Sequence, residues 1–379
     1  MDTKQDDKLA LPQEVILLIV ESLAPDNPRK ILTPSDERTK TLLTLTRTCK
    51  LTSSTASKLL WRYCTYIDSI ERLRTFSQAL DNLSSKDPRR PISLFLGLLE
   101  KDGAGSPKPW PCGRNRPEWP PEKRLKDDKD HALQVQKLLV KTAPTLQRLT
   151  IDMCTEELRQ ELGDLAQTVL AILRIGFKAL VNLEEFVCIG DSFDFGGPQN
   201  QLWATCWPKL RCVSLDIQIE NGEDYPIFGQ MVRLPTLETA ALTMLVETPP
   251  IVNEFLEGLV IEFEKPSTLE SVPDRKFLTV AIPGINPEFD DFDAAASGSD
   301  PRAQVFLIDL CHFEGRAELF QRGGDTSYHL TTRWIRQTAL NGTLWERARV
   351  GSGSWSGCTP TEDFVNPNSI HPLLYSSPI

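Results

Sequence analysis

The chain opens on a short stretch in which apolar residues occupy consecutive positions instead of one helical face. Pro12, Gln13 and Glu14 fit the start of a helix, and the six residues VILLIV follow at positions 15–20. An apolar stripe about 100° wide is enough to pack a surface helix onto one core. Because VILLIV covers every side of the helix, the pattern predicts a helix over 11–23 with two apolar surroundings.

Apolar periodicity then breaks and resumes. Residues 24–38 are rich in proline and charge, which predicts a surface loop. Leucines at helical spacing return at Leu42 and predict two short helices within 41–68 and a further one over 69–83. A continuous apolar run over 91–99 predicts the first strand.

Four segments in the middle of the chain share one pattern. They align when Leu146, Leu183, Leu210 and Leu237 occupy the same column, and they are spaced by 37, 27 and 27 residues. An apolar or small residue follows at the third and fifth places of every copy: Leu149 and Ile151, Phe186 and Cys188, Val213 and Leu215, Ala240 and Leu242. The two shorter intervals match the period of about 20–29 residues that is typical of leucine-rich repeats. The alternative is an ordinary α/β sheet with chance leucine spacing.

A helical pattern at 129–143 precedes the first copy and another at 155–177 lies between the first and second copies, so helix and strand alternate, which predicts parallel strands with helices outside. The pattern weakens beyond Pro249, where we expect the array to end, although 267–272, 277–282 and 303–311 remain strand-like. Residues 333–350 predict a helix pair or cap, followed by an irregular tail. The fold class is therefore α/β, with a helical bundle at 9–68, a repeat region at 69–260, an exposed loop insertion at 101–129, and a C-terminal region at 261–379.

Charge and cysteine usage narrow the function classes. The formal charge of −10 argues against a nucleic-acid or anionic-membrane partner, because both kinds of binding use excess Lys and Arg. No apolar run approaches the roughly 20 residues needed to cross a bilayer. Nine cysteines without a CxxC pair indicate reduced thiols. We expect a cytoplasmic or nuclear protein whose partner is another protein.

Signatures of catalysis are missing from the sequence. The chain contains no P-loop, HExxH, EF-hand or GxSxG motif. The pair Cys311–His312 is too small for a zinc site or a catalytic set, both of which need a third group. The carboxylates Asp290, Asp291 and Asp293 lie in an acidic stretch without flanking elements to fix them. We predict no catalytic residue, no metal site and no cofactor, and hence no enzyme.

The first 60 or so residues resemble an F-box. The resemblance rests on the Leu-Pro start at Leu11, on the order of Leu42, Leu45 and Cys49, and on the closing Leu60–Trp61 pair. It implies a small helical bundle that inserts into the Skp-type adaptor of a cullin-RING ubiquitin ligase. Carried over by position, adaptor contact falls to Leu11, Pro12, Val15, Ile16, Leu42, Leu45 and Trp61. Each of these side chains is equally a candidate for the bundle's own core.

Two functions follow. The first is a substrate-recruiting adaptor, whose F-box docks on the Skp-type adaptor and whose repeat region binds a target protein for ubiquitination. Candidate target contacts are polar residues near the strand ends, Asp152, Asp216 and Gln218. The second is an F-box-like scaffold that acts outside any ligase. Neither hypothesis identifies the target protein.

Overall fold

The computed structural model describes residues 11–84, 87, 89–97, 121–152, 164–189, 206–217, 231, 234–244, 278–284, 303–309 and 326–349. This part of the chain is mixed α/β. Three short helices come first, and a parallel sheet with helices on both of its faces follows. Expectations for residues 267–272, for 290–293 and for the Cys311–His312 pair lie outside the described residues.

The first three helices pack around a small core of their own. They are α1 (Gln13–Glu21), α2 (Glu37–Thr48) and α3 (Lys50–Tyr63). The Asp36 side chain caps α2 by accepting a hydrogen bond from the Arg38 backbone N–H at 2.9 Å, which satisfies one of the free donors at a helix start. Six buried residues form the core between the helices: Val20, Leu32, Leu42, Ala56, Leu59 and Tyr63.

One sheet contains every described strand, and its strands follow one another in chain order. All neighbouring strands are parallel. Their bounds are β1 (Tyr66–Ile67), β2 (Ser93–Leu96), β3 (Arg148–Ile151), β4 (Glu185–Cys188), β5 (Cys212–Ile217), β6 (Thr239–Met244), β7 (Leu278–Gly284) and β8 (Ala303–Asp309). Because neighbouring strands are parallel and follow chain order, each connection brings the chain back to the end of the sheet where the strands begin. The next strand then pairs with the one before it.

The sheet register follows the sequence alignment of the four segments. Leu149 pairs with Phe186, Phe186 with Val213, and Val213 with Ala240. The fifth places behave alike, because Ile151 pairs with Cys188 and Leu215 with Leu242. Residues in one column of the alignment therefore lie side by side across β3–β6.

Helices α4 (Ile70–Asp81), α5 (Pro121–Thr142) and α6 (Asp164–Lys178) pack on one face of this sheet. The aligned apolar residues point into that interface, and they share one core with Leu73, Leu138 and Leu173 of the three helices. Helices α5 and α6 approach closely at Gly176, where an added Cβ would lie 3.0 Å from the Cα of Gln136. Glycine is required there because the helix backbones nearly touch.

The opposite face of the sheet is covered by two helices from the end of the described chain. They are α7 (Thr326–Asn341) and α8 (Leu344–Arg349). Trp334, Ile335, Leu344 and Trp345 are buried against Phe95, Val187, Ile189, Cys212 and Ala241 of the strands. The predicted helix pair is thus present, and it lies across the strands.

Three expectations about boundaries need correction. Residues 24–38 are not simply a surface loop, because Ile31 and Leu32 are only 5% and 1% exposed. Helix α5 begins at Pro121, inside the predicted 101–129 loop. The sheet also continues past residue 260, since β7 pairs with β6 and β8 with β7.

Candidate functional site

An apolar surface lies on the outer side of α1. Leu11, Val15, Leu18 and Ile19 expose 58%, 37%, 63% and 54% of their surface. Val15, Leu18 and Ile19 lie on one face of α1, because residues three and four apart in a helix share a face, and Leu11 lies just before the helix, which begins at Gln13. Leu43 of α2 is a further exposed apolar residue of the same three helices, at 48%. We call Val15, Leu18 and Ile19, together with Leu11 just before the helix, the outer face of α1.

The inner side of the same helix is held by the bundle core. Val20 is 1% exposed and belongs to the core with Leu42, Ala56 and Leu59, while Leu23 packs against it. Ile16 and Leu17 are half-buried. The six-residue apolar run therefore divides, with Val15, Leu18 and Ile19 turned to solvent and Val20 turned inward.

The seven sequence-predicted contact residues do not share one surface. Leu11, Pro12 and Val15 are exposed and Ile16 is half-buried, and these four lie together at the start of α1. Leu42 is fully buried and Leu45 packs against the same core, because a bundle this small needs them for its interior.

Trp61 faces a different neighbour. Its ring lies 4.9 Å from that of Phe76 of α4, and it packs against the sheet–helix core. Leu42, Leu45 and Trp61 therefore serve internal packing in this structure.

Sequence reasoning missed Leu18 and Ile19, the two side chains of VILLIV with the largest exposure. Val15, Leu18 and Ile19 lie on one side of α1 and Val20 on the other, and packing of Val20 into the bundle core decides which side is buried. A run of six apolar residues hides this division, since hydropathy alone assigns the same weight to every position.

The candidate target contacts at the strand ends are engaged within the chain. Asp152 forms an ion pair with Arg336 of α7 at 3.1 Å, and burial raises the pKa of its carboxyl, with Arg336 opposing the shift. Asp216 is 1% exposed and accepts a hydrogen bond from Thr243 Oγ1 at 3.1 Å. Gln218 lies outside the described residues.

Aromatic and charged groups hold α7 over the first strands. Arg336 lies 5.6 Å from the ring centroid of Phe95, and that ring stacks on Tyr66 with centroids 4.3 Å apart. Burial raises the pKa of the Tyr66 hydroxyl, and the positive charge of Arg336 counters the effect. Gly97 allows the packing, because a Cβ there would lie 2.7 Å from the Phe95 ring.

A second group of contacts lies at the N-terminal ends of β3 and β4. Glu185 of β4 accepts a hydrogen bond from Trp345 Nε1 at 2.9 Å and forms an ion pair with Arg29 at 3.2 Å. Arg148 of the neighbouring strand donates to the Pro28 carbonyl at 3.1 Å, and burial lowers the pKa of its guanidinium. Helices α7 and α8 thereby cover this face of the sheet.

The described residues bring together no group of three or more His, Cys, Asp and Glu side chains suited to a metal ion. Across the same part of the chain, no helix has both the length and the apolar content to cross a membrane.

Comparison with known proteins adds no assignment to this geometry. No protein-family model matches the chain, and no curated protein matches it.

Proposed function

We propose that this protein is a substrate-recruiting adaptor, which docks on a Skp-type adaptor through α1 and holds a target protein for ubiquitination. The observation that carries the proposal is the outer face of α1, where Val15, Leu18 and Ile19 form an exposed apolar row and Leu11 is exposed just before the helix. Such a row is costly to leave in water, at about 25 cal/mol per Å² of apolar surface, and contiguous exposed apolar patches mark interaction sites.

The first three helices take the part of an F-box in this proposal. Support comes from the sequence resemblance and from the division of α1 into a buried and an exposed side. An amphipathic helix that presents apolar residues at i, i+3 and i+4, here Val15, Leu18 and Ile19, is suited to a hydrophobic groove of a partner. The proposed contact residues are now Leu11, Pro12, Val15, Ile16, Leu18 and Ile19. Leu42, Leu45 and Trp61 are no longer proposed as contacts, because they serve internal packing.

The sheet takes the part of a short, leucine-rich-repeat-like solenoid. Its support is the chain-order parallel sheet, the repeat spacing of 27 residues, and the agreement between alignment columns and strand register. Target capture is assigned to this region outside the strand face that α7 and α8 cover. The chain would act by raising the effective concentration of a target near the conjugating enzyme, in the cytoplasm or nucleus.

The test is co-purification with a Skp-type adaptor. Leu18→Asp places a charge in the centre of the outer face, and we expect it to abolish the binding that the wild type shows. Ile175→Asp is the matched control, because Ile175 is also exposed, at 56%, but lies on α6. Circular dichroism verifies that both variants fold.

Two outcomes contradict the proposal. If the wild-type chain does not bind the adaptor, the ligase function is wrong and a scaffold outside any ligase becomes the better hypothesis. If Leu18→Asp and Ile175→Asp bind equally well, the docking surface is misplaced.

A further inference from the structure

Residues 27–32 contact four separate parts of the molecule within six positions. The Asn27 side chain donates to the Asn341 carbonyl at 3.1 Å, and the Ile31 backbone N–H donates to Leu340 at 2.8 Å. Both acceptors lie at the end of α7. Leu32 instead donates its N–H to the Tyr63 carbonyl at 2.7 Å, at the end of α3.

Two strands of the sheet also contact residues 27–32. The Pro28 carbonyl accepts from Arg148 of β3 at 3.1 Å, and Arg29 pairs with Glu185 of β4 at 3.2 Å. Glu185 also receives the indole N–H of Trp345 in α8. One carboxylate thus joins the segment and the C-terminal helices to the sheet.

The side chains of Ile31 and Leu32 enter different cores. Ile31 is buried with Trp334, Ile335 and Trp345 between the sheet and α7–α8, whereas Leu32 is buried with Val20, Leu42 and Tyr63 inside the three-helix bundle. Successive side chains of an extended chain point to opposite sides. The segment therefore connects the two cores through one pair of neighbouring residues.

The end of α7 is shaped to receive this segment. Gly342 has φ +74°, a conformation that favours glycine, and an added Cβ would lie 2.6 Å from the Cβ of Arg29. The Gly342 and Thr343 N–H groups donate to Ala339 and Thr338 at 3.1 and 2.9 Å, which ends the helix. The backbone of residues 29–30 packs directly against this turn.

We propose that residues 27–32 form a clamp that fixes the three-helix bundle to the sheet and the C-terminal helices, with Arg29 as its positioning residue. The end of α3 supplies one attachment, because α3 runs directly into β1, the Thr65 hydroxyl donates to the Ser93 carbonyl at 2.6 Å, and Trp61 packs on Phe76. The clamp supplies a second attachment, from the segment between α1 and α2, which reaches the sheet through Arg29 and α7 through Asn27. Two separate attachments set an orientation, whereas one permits rotation.

This inference rests on the proposed function for its biological meaning. The clamp keeps a partner bound at α1 in a constant position relative to a target bound on the sheet. Effective concentration falls when the connection between two bound partners is loose. The clamp thus explains what the long segment between α1 and α2 does.

The test uses hydrogen exchange on the full-length protein. Arg29→Glu places two carboxylates against each other at the Glu185 site, and Asn27→Ala removes the bond to Asn341. We expect each to speed exchange of backbone amides in 27–32 and also in 334–345, by about tenfold for the charged variant. Arg29→Lys keeps the ion pair and should leave both segments near wild type.

An exposed control separates a local charge effect from the clamp. Arg89→Glu disrupts an ion pair with Asp87 and should not change exchange in either segment. Fluorescence energy transfer between labels at the exposed positions Ser54 and Lys178 should give one narrow distance distribution in the wild type and a broader one in Arg29→Glu.

Faster exchange confined to 27–32, or an unchanged distance distribution, overturns the clamp. These readouts need no adaptor. Failure of the wild type to bind a Skp-type adaptor would therefore remove the proposed function while the exchange data still decide the clamp. Adaptor binding by Arg29→Glu should equal that of the wild type, because Arg29 is not on the outer face of α1.

Discussion

Truncation of Leu32 offers a quantitative test of the packing that surrounds the clamp. Leu32 is 1% exposed and fills the bundle core beside Val20, Leu42 and Tyr63. Its backbone N–H bonds to the Tyr63 carbonyl at 2.7 Å, and this bond survives a change of side chain. Leu32→Ala therefore removes packing alone.

The expected magnitude follows from burial. Leu→Ala at a fully buried site costs about 2–5 kcal/mol, through lost transfer free energy and the cavity that remains. The control is Leu43→Ala in α2, where the side chain is 48% exposed and the change should stay within about 0.5 kcal/mol. The two substitutions remove the same atoms, so their difference isolates burial.

Hydrogen exchange of amides near the end of α3 is the assay. The Cys64 N–H, which donates to Leu60 at 2.9 Å, reports opening of the bundle. A loss of 2 kcal/mol corresponds to about thirtyfold faster exchange. A change of less than about 1 kcal/mol for Leu32→Ala, or equal changes for both variants, would refute the placement of Leu32 in the bundle core.

Two further predictions concern titratable groups. Burial raises the pKa of Asp152, so its ionisation opposes folding, and stability should fall as pH rises from the unfolded pKa of about 3.9 through the raised folded value. Asp152→Asn should remove this part of the pH dependence in urea denaturation, and an unchanged profile contradicts the burial. Burial also raises the pKa of Cys64 to about 11, while hydrogen bonding to Thr52 lowers that of exposed Cys49. Mass spectrometry after brief alkylation of the native protein should find Cys49 modified ahead of Cys64, and the reverse order would contradict the placement of these thiols.

The strand register was the part of the fold most accessible to sequence reasoning. Leu146, Leu183, Leu210 and Leu237 recur before each strand, and period-two alternation then fixes which residues face the helices. The register of β3–β6 followed directly. Strand β1 has two residues and no such pattern, so it was not predicted.

The faces of α1 were not predictable, because VILLIV presents apolar side chains in all directions. Which of them becomes buried depends on where α3 and the Leu32 segment pack against the helix. Tertiary contacts decide this, and single-sequence periodicity does not contain them.

The prediction of a surface loop over residues 24–38 was wrong at Ile31 and Leu32, and the cause lies in the composition of the segment. Prolines and charges surround the short apolar pair Ile31–Leu32, and a pair has no period. Burial of Ile31 depends on α7, about 300 residues later in the chain, and burial of Leu32 depends on the bundle helices. Such contacts leave no local signal. A long separation in sequence also hid the pairing of Asp152 with Arg336, which left Asp152 as a surface candidate in the sequence interpretation.

Photo-crosslinking from α1 tests the central claim most directly. A benzoylphenylalanine placed at Leu18, in the complex with a Skp-type adaptor, reports which protein touches the outer face of α1. The account predicts a crosslink from position 18 to the adaptor and none from position 175. An adaptor complex that forms without a crosslink from position 18, or with an equal one from position 175, would contradict it.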